Sequence, residues 1–160
     1  MIEEEYILKP VGVLHTPFNS RQDMPIQGRL FPETRGEAEI NPKYAKALDD
    51  LEGFSHIILL YWFHKSGGYR LKVKPFLDDV ERGLFSTRAP ARPNQIGFCA
   101  VKLLGREDNI LKISGVDMLD GTPLLDVKPY VSKIDSIENA KDGWMRGMME
   151  GRRVSDSRFK

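Results

Sequence analysis

The chain has 160 residues and a mass of 18.3 kDa, which suits one domain because two separate cores would each be small. Hydrophobic residues make up 41% and charged residues 29%, a balance that excludes a largely disordered chain. The formal charge is +1, so net charge alone does not predict binding to polyanions. The single cysteine, Cys99, excludes an intramolecular disulfide and a cysteine-built zinc site.

Membrane and metal partners are not predicted. The longest apolar run, 57–63, is too short to span a bilayer, and the acidic N-terminus does not resemble a signal peptide. The three histidines, His15, His56 and His64, share no metal-ligand spacing. We therefore expect a cytoplasmic protein with one domain over 1–160, in which 131–160 is a C-terminal extension.

Scattered glycines and prolines with short apolar runs between them predict many strands. Residues 15–35 show no sustained period and predict a long loop. In chain order, the strand candidates are 7–14 (with Pro10 at an edge or bulge), 37–40, 56–64, 69–73, 83–86, 96–104, 110–116 and 124–127.

One helix is predicted near the middle, with Asn41 at its N-cap, Pro42 at its first position and Gly53 at its end. The continuously apolar run 56–64 predicts a central strand. Residues 139–151 are a weaker helix candidate because they contain three glycines. Strands dominate without β-α alternation, which favours a mainly β fold, a mostly antiparallel sheet or barrel.

A basic stretch, 82–106, contains five basic side chains and no acidic one. Prolines stiffen its centre, which holds Arg88, Arg92 and Asn94. A braced loop with two guanidinium groups can bind a carboxylate or phosphate at little ordering cost. The alternative is a solvated loop whose arginines pair with the acidic segment that follows.

That acidic segment, 117–130, places Asp117, Asp120 and Asp126 around a Gly-Thr-Pro turn. Carboxylates can hold ribose hydroxyls, attract a cation or accept a proton. The alternative is an ordinary tight turn, in which aspartate commonly precedes glycine. His64 ends the apolar strand, where it can reach a cavity rim or be merely structural, and Cys99 is interpreted as a buried, inert thiol.

Two runs of sequence carry a family resemblance. They are Leu-Phe-Ser-Thr-Arg-Ala-Pro-Ala-Arg-Pro-Asn-Gln-Ile-Gly at 84–97 and Asp-Met-Leu-Asp-Gly-Thr-Pro-Leu-Leu-Asp-Val-Lys-Pro-Tyr at 117–130. Together with 51–56 and 62–64, they resemble the TsaA-like (TrmO) family over most of the chain. The resemblance implies a closed or nearly closed antiparallel β-barrel with one or two short helices.

The same resemblance implies an S-adenosylmethionine-dependent methyltransferase that modifies N6 of threonylcarbamoyladenosine at position 37 of tRNA and works as a homodimer. Motif matching places these residues at the cofactor site: Gly28, Arg29, Leu30, His64, Lys65, Arg88, Phe98, Gly115, Val116 and Asp117.

Catalytic and substrate roles are hypotheses about how such a methyl transfer would proceed. Asp117 and His64 are the candidate proton acceptors, and the loop residues Arg92 and Asn94 are candidates for contact with the modified base. Residues 146–160 have a net charge of +3, so Arg152 and Arg153 are candidates for tRNA phosphate contacts, although a frayed terminus is the alternative.

Two other classes of function stay open from the sequence. The chain could be a non-catalytic barrel that binds an adenosyl ligand or RNA, or a methyltransferase with another substrate. Transfer of a labelled methyl group to threonylcarbamoylated tRNA discriminates among them.

Overall fold

The computed structural model describes residues 4–21, 24–76 and 78–148. Its strands are β1 (Gly12–His15), β2 (Arg35–Ile40), β3 (His56–Trp62), β4 (Lys72–Val73), β5 (Arg82–Gly83), β6 (Ile96–Glu107), β7 (Ile110–Ser114) and β8 (Thr122–Pro129). Within these ranges, six strands close an antiparallel barrel in the order β1-β2-β7-β6-β3-β8, and β4 pairs with β5 outside it. The expected mainly β barrel is confirmed.

The helical elements are short turns on the outside of this barrel. They are a single α-helical turn, Ser132–Asp135, and 3-10 helices at Gly28–Leu30, Pro42–Leu48, Leu51–Gly53, Leu84–Ser86 and Gly143–Met145. No helix in the described ranges has the length and apolar character needed to cross a bilayer.

The central position predicted for the apolar run 56–64 is confirmed, because β3 pairs with β6 on one side and β8 on the other. Ile57, Leu59 and Tyr61 alternate along β3 and are buried inside the barrel. Ile58 is also buried, which explains why the run lacks a polar face. The core continues across the other strands through Leu14, Ala38, Val101, Leu111, Ile113 and Leu124.

Buried and more exposed residues alternate along the first part of β6, as expected for a strand with one buried face. Its buried face carries Gly97, Cys99, Val101 and Leu103. Gly97 lies directly opposite Tyr61 in the ladder. A Cβ atom added to Gly97 would lie 2.2 Å from Cε2 of Tyr61, so the glycine leaves room for the tyrosine ring between the two strands.

Several predicted element boundaries are wrong. The strand predicted at 7–14 begins only at Gly12, after the proline that lacks an N–H donor. The strand predicted at 69–73 is reduced to β4. The strand predicted at 83–86 is a 3-10 turn from Leu84, because both the backbone N–H and the hydroxyl of Thr87 bond back to the Leu84 carbonyl.

The predicted helix near the middle starts as expected, since the Asn41 side chain accepts a hydrogen bond from the Lys43 N–H and Pro42 opens the first turn. It does not continue as one helix to Gly53. The chain forms two 3-10 helices instead, separated at Asp50, which has a left-handed φ of 66°.

Replacement of Gly97 by alanine tests the tight contact with Tyr61. Because the added methyl group collides with a ring held inside the barrel, we expect Gly97→Ala to lower the free energy of unfolding by about 1–3 kcal/mol. Urea denaturation measures it. Gly105→Ala, in the same strand but with no heavy atom within 4 Å of the added Cβ, is the matched control. Equal losses in the two variants would contradict the packing argument.

Candidate functional site

A cavity of about 660 Å³ lies where β3 and β6 meet the loops outside the barrel. Its wall is built from segments far apart in sequence: 24–27, 61–63, 75–76, 87–92, 96–98, Asp117 and 142–147. Aromatic side chains supply much of this wall, namely Tyr61, Phe63, Phe76, Phe98 and Trp144. An aromatic-lined cavity of this size with a few charged groups is typical of a small-molecule site.

Asp117 joins three parts of the protein at the wall of this cavity. Its Oδ2 accepts the backbone N–H of Gly28 at 2.7 Å, and its Oδ1 accepts the Tyr61 hydroxyl at 3.2 Å. Burial raises the pKa of the Asp117 carboxyl, while the hydrogen bonds from Gly28 and Tyr61 act in the opposite direction. Burial, followed by the Asp117 charge, also raises the pKa of Tyr61, so its hydroxyl remains a donor.

Gly28, Gly115 and Val116 lie behind the cavity wall rather than on it. A Cβ atom at Gly28 would lie 1.9 Å from the Gly115 carbonyl oxygen, so the two chain segments can touch only through glycine. Gly115 itself has a φ of +85°, and Val116 is fully buried. These predicted cofactor residues therefore set the position of Asp117.

Arg29 and Leu30 share the 3-10 helix that begins at Gly28. Arg29 is exposed and Leu30 is half-buried, and neither side chain lines the cavity. Their predicted cofactor contacts stay predictions.

The basic loop places Arg88 on the cavity. The Arg88 guanidinium lies 5.7 Å from the centre of the Phe98 ring, which also lines the cavity, and its Nη2 donates to the Phe98 carbonyl at 3.4 Å. Arg88 is exposed, which leaves its other donors accessible. Arg88 from the basic loop and Phe98 from the strand after it, both predicted site residues, therefore meet on one wall.

Arg92 lines the same cavity but also braces its own loop. Its Nη1 donates to the carbonyls of Thr87 and Ala89 at 2.9 and 3.2 Å, and the guanidinium lies 5.7 Å from the Phe85 ring centre. Asn94 is exposed and does not line the cavity.

His64 and Lys65 line a smaller cavity of about 60 Å³. It shares four lining residues with the larger one: Arg21, Met24, Phe63 and Pro90. Burial, and then the Lys65 charge, lowers the pKa of His64, so its imidazole is neutral at physiological pH. His64 and Lys65 therefore lie next to the main cavity, and the residues shared by the two cavities separate them from it.

Two parts of the site had no counterpart in the sequence prediction. Tyr61 lies within an apolar run, where only its need for a hydrogen-bond partner marks it as polar. Residues 142–147 carry no family motif, and only the folded chain brings them to the cavity.

Cys99 is buried, as interpreted, and burial raises the pKa of its thiol. The predicted phosphate contacts Arg152 and Arg153 lie outside the described residues. Within the described part of the chain, no three side chains of the metal-binding types converge.

Comparison with known proteins identifies relatives across most of the chain. The profile of the tRNA-methyltransferase O N-terminal domain matches residues 13–136. A probable S-adenosyl-L-methionine-binding protein of Methanothermobacter thermautotrophicus is 48% identical over 137 residues, which cover 86% of this chain and 98% of that protein.

Two further relatives are longer than this chain. A tRNA (adenine(37)-N6)-methyltransferase of Mus musculus is 40% identical over 142 residues, covering 83% of this chain but 32% of the mouse protein. The crystal structure of TrmO from Pseudomonas aeruginosa superposes with a TM-score of 0.75 at 37% identity, covering 88% of this chain and 63% of that one.

The buried carboxyl of Asp117 makes stability depend on pH. Because its pKa is raised on folding, the protein binds this proton more tightly than the unfolded chain does. We expect the unfolding free energy of the wild type, relative to Asp117→Asn, to be highest below about pH 4 and to fall as the pH rises through the raised pKa. Urea titrations at several pH values measure this difference.

Tyr61→Phe provides the matched variant. It removes a hydrogen bond that favours the charged carboxylate, so the folded-state pKa of Asp117 should rise further. The pH-dependent loss should begin at the same pH as in the wild type but extend to a higher pH. Parallel pH profiles for the wild type and Asp117→Asn would show that the carboxyl does not titrate differently on folding.

Proposed function

The chain belongs to the tRNA-methyltransferase O N-terminal domain family, and on that premise we propose that it uses S-adenosylmethionine to methylate N6 of threonylcarbamoyladenosine at position 37 of tRNA. The observation that carries the proposal is one cavity in which Arg88, Phe98 and Asp117, all expected from the family motifs, come together. The relatives named as S-adenosylmethionine-binding and tRNA-methylating proteins support it.

The residues at the cavity fit this cofactor. A volume of about 660 Å³ accommodates a nucleoside joined to an amino acid, and the aromatic wall offers apolar surface for a purine. Arg88 presents exposed guanidinium donors at the same wall, which suit the methionyl carboxylate. When bound, S-adenosylmethionine supplies a methyl group activated by a cationic sulfur.

The chain's own contribution is positioning and proton transfer. The rigid barrel and the braced loop hold the methyl acceptor in line with the donor, an effect that can supply roughly 7–11 kcal/mol. The N6 atom of the modified base is part of a urea group, so its lone pair is delocalised and loss of its proton helps the reaction.

Asp117 is better placed than His64 to accept that proton. Asp117 lines the main cavity, whereas His64 lines the smaller neighbouring one. Burial raises the pKa of Asp117, so its carboxylate is a stronger base than an exposed aspartate. We therefore assign the base to Asp117, with Tyr61 and the Gly28 N–H orienting its two oxygens.

The rim of the cavity suits a single-stranded RNA loop. Phe85 and Phe98 are exposed, and each ring has an arginine guanidinium 5.7 Å from its centre. Exposed aromatic rings beside arginines stack nucleobases and attract phosphates. We place the anticodon loop here, with Arg92 available to the threonyl carboxylate of the base. The phosphate contacts of Arg152 and Arg153 are part of the proposal on the charge of the sequence alone.

We also propose that the chain works as a homodimer in the cytoplasm. Ile96 and Leu104 leave part of the outer face of β6 exposed and apolar, which a second copy covers in the proposed dimer. The unpaired Cys99 is compatible with a reducing compartment. Sedimentation equilibrium of the purified chain measures the oligomeric state directly.

Methyl transfer tests the proposed reaction. The purified chain is incubated with methyl-labelled S-adenosylmethionine and with tRNA that carries, or lacks, threonylcarbamoyladenosine at position 37. We expect label only in the modified tRNA, and nucleoside analysis should locate it on N6. Cofactor binding without transfer to either tRNA would favour a non-catalytic binding protein, and transfer only to the unmodified tRNA would contradict the assigned substrate.

Loss of the Arg88 side chain should weaken cofactor binding without unfolding the protein, because the side chain is exposed. Removal of one hydrogen-bonded charge pair predicts about a tenfold rise in the dissociation constant for S-adenosylmethionine in Arg88→Ala. Calorimetric titration measures it, with thermal melting as the check on folding.

Arg70→Ala, which removes an exposed arginine that does not line the cavity, is the control for the change in charge. Unchanged affinity in Arg88→Ala would remove Arg88 from the cofactor site.

A further inference from the structure

The segment 142–147, which we call the C-terminal strap, returns from the end of the barrel to the cavity. Asp142, Trp144, Met145 and Gly147 all line the cavity wall. The strap lies beyond residues 13–136, the range that matches the family profile. Its contribution to the cavity is therefore a feature of this chain that the family match does not describe.

Trp144 is held in place by two contacts. Its indole N–H donates to the Ser86 carbonyl at 2.8 Å, and the Arg82 guanidinium lies 5.2 Å from its ring centre. Arg82 is itself fixed by Asp78, whose carboxylate accepts its Nε–H at 2.9 Å. Ser86 lies two residues before Arg88, so these contacts attach the strap to the turn that leads into Arg88.

This arrangement gives the cavity an aromatic wall that is ordered before any ligand binds. A half-buried indole whose N–H is already satisfied presents only apolar ring surface to its surroundings. Such a ring surface suits a flat, aromatic ligand group such as a purine. Fixing the ring in advance also lowers the ordering cost of binding.

We infer that Trp144 is a cofactor-binding residue, against whose indole the purine of the adenosyl group packs. This inference rests on the proposed function, since it takes S-adenosylmethionine as the occupant of the cavity. It adds a contact from the C-terminal strap to those expected from the family motifs.

Titration of the full chain with S-adenosylmethionine and with adenosine tests the inference. Trp144→Ala should raise the dissociation constants for both by about tenfold, because both carry the purine. Trp144→Phe, which keeps a ring but loses the N–H bond to Ser86, should cause a smaller loss. Ile137→Ala is the control, since it removes an exposed apolar side chain that does not line the cavity.

Tryptophan fluorescence gives a second measurement. Its change on ligand binding would not be expected if Trp144 only supported the fold. The chain has two tryptophans, Trp62 and Trp144. We expect S-adenosylmethionine to change the emission of the wild type but not that of Trp144→Phe at a saturating concentration.

The outcomes separate the inference from the proposed function. A wild type that binds S-adenosylmethionine, with Trp144→Ala folded and binding it equally well, overturns the inference and leaves the proposed function intact. Weaker binding of tRNA alone, with cofactor affinity unchanged, also overturns it. A folded wild type that does not bind S-adenosylmethionine contradicts the proposed function itself.

Discussion

The hydrogen bonds of one buried carboxylate connect the barrel to the loops that build the cavity. Asp117 receives the Tyr61 hydroxyl from the central strand and the Gly28 N–H from the long first loop. A buried carboxylate is unfavourable unless such donors satisfy it, so the three segments depend on one another. The junction holds Gly28, and with it the 24–30 region that supplies part of the cavity wall, against the barrel.

Two glycines make that junction sterically possible. Gly97 leaves the space that the Tyr61 ring occupies, and Gly28 lets its backbone approach the Gly115 carbonyl. The Tyr61 hydroxyl and the Gly28 N–H reach the same carboxylate only because neither approach is blocked by a Cβ atom. Glycine in these strands and loops is thus a packing requirement of the site.

The rest of the cavity wall is braced by side chains that bond to backbone carbonyls. Arg92 donates to Thr87 and Ala89, and Trp144 donates to Ser86, so the segment 86–89 is held from two sides. The prolines of the basic loop had indicated a stiff structure, and these bonds show how it is held. Arg88, placed within this braced segment, keeps exposed donors for a ligand.

Most of the fold could be predicted from the sequence, because a buried strand requires a run of apolar side chains. The apolar run 56–64 predicted the central strand, and 96–104 was predicted as a strand where β6 lies. The short elements at 69–73 and 83–86 were poorly predicted, because a hydrogen bond from the Thr87 side chain and tertiary contacts decide them.

The candidate site could be predicted only in part from the sequence. The family motifs identified Arg88, Phe98 and Asp117, which share the main cavity, and also His64, which lines its neighbour. No local pattern marks Tyr61 or Trp144 as site residues. Both are ordinary apolar positions until the fold brings a carboxylate or a carbonyl to them.

The sequence by itself determined the mainly β architecture, the central position of the strand 56–64 and the chemistry of the basic loop, since these depend on residue type and on short-range patterns. Only the tertiary structure decided which polar groups meet. Asp117 lies 56 residues from Tyr61 and 89 from Gly28 along the chain, and Trp144 lies 58 residues from Ser86. Contacts over such separations are set by barrel closure, which no local pattern encodes.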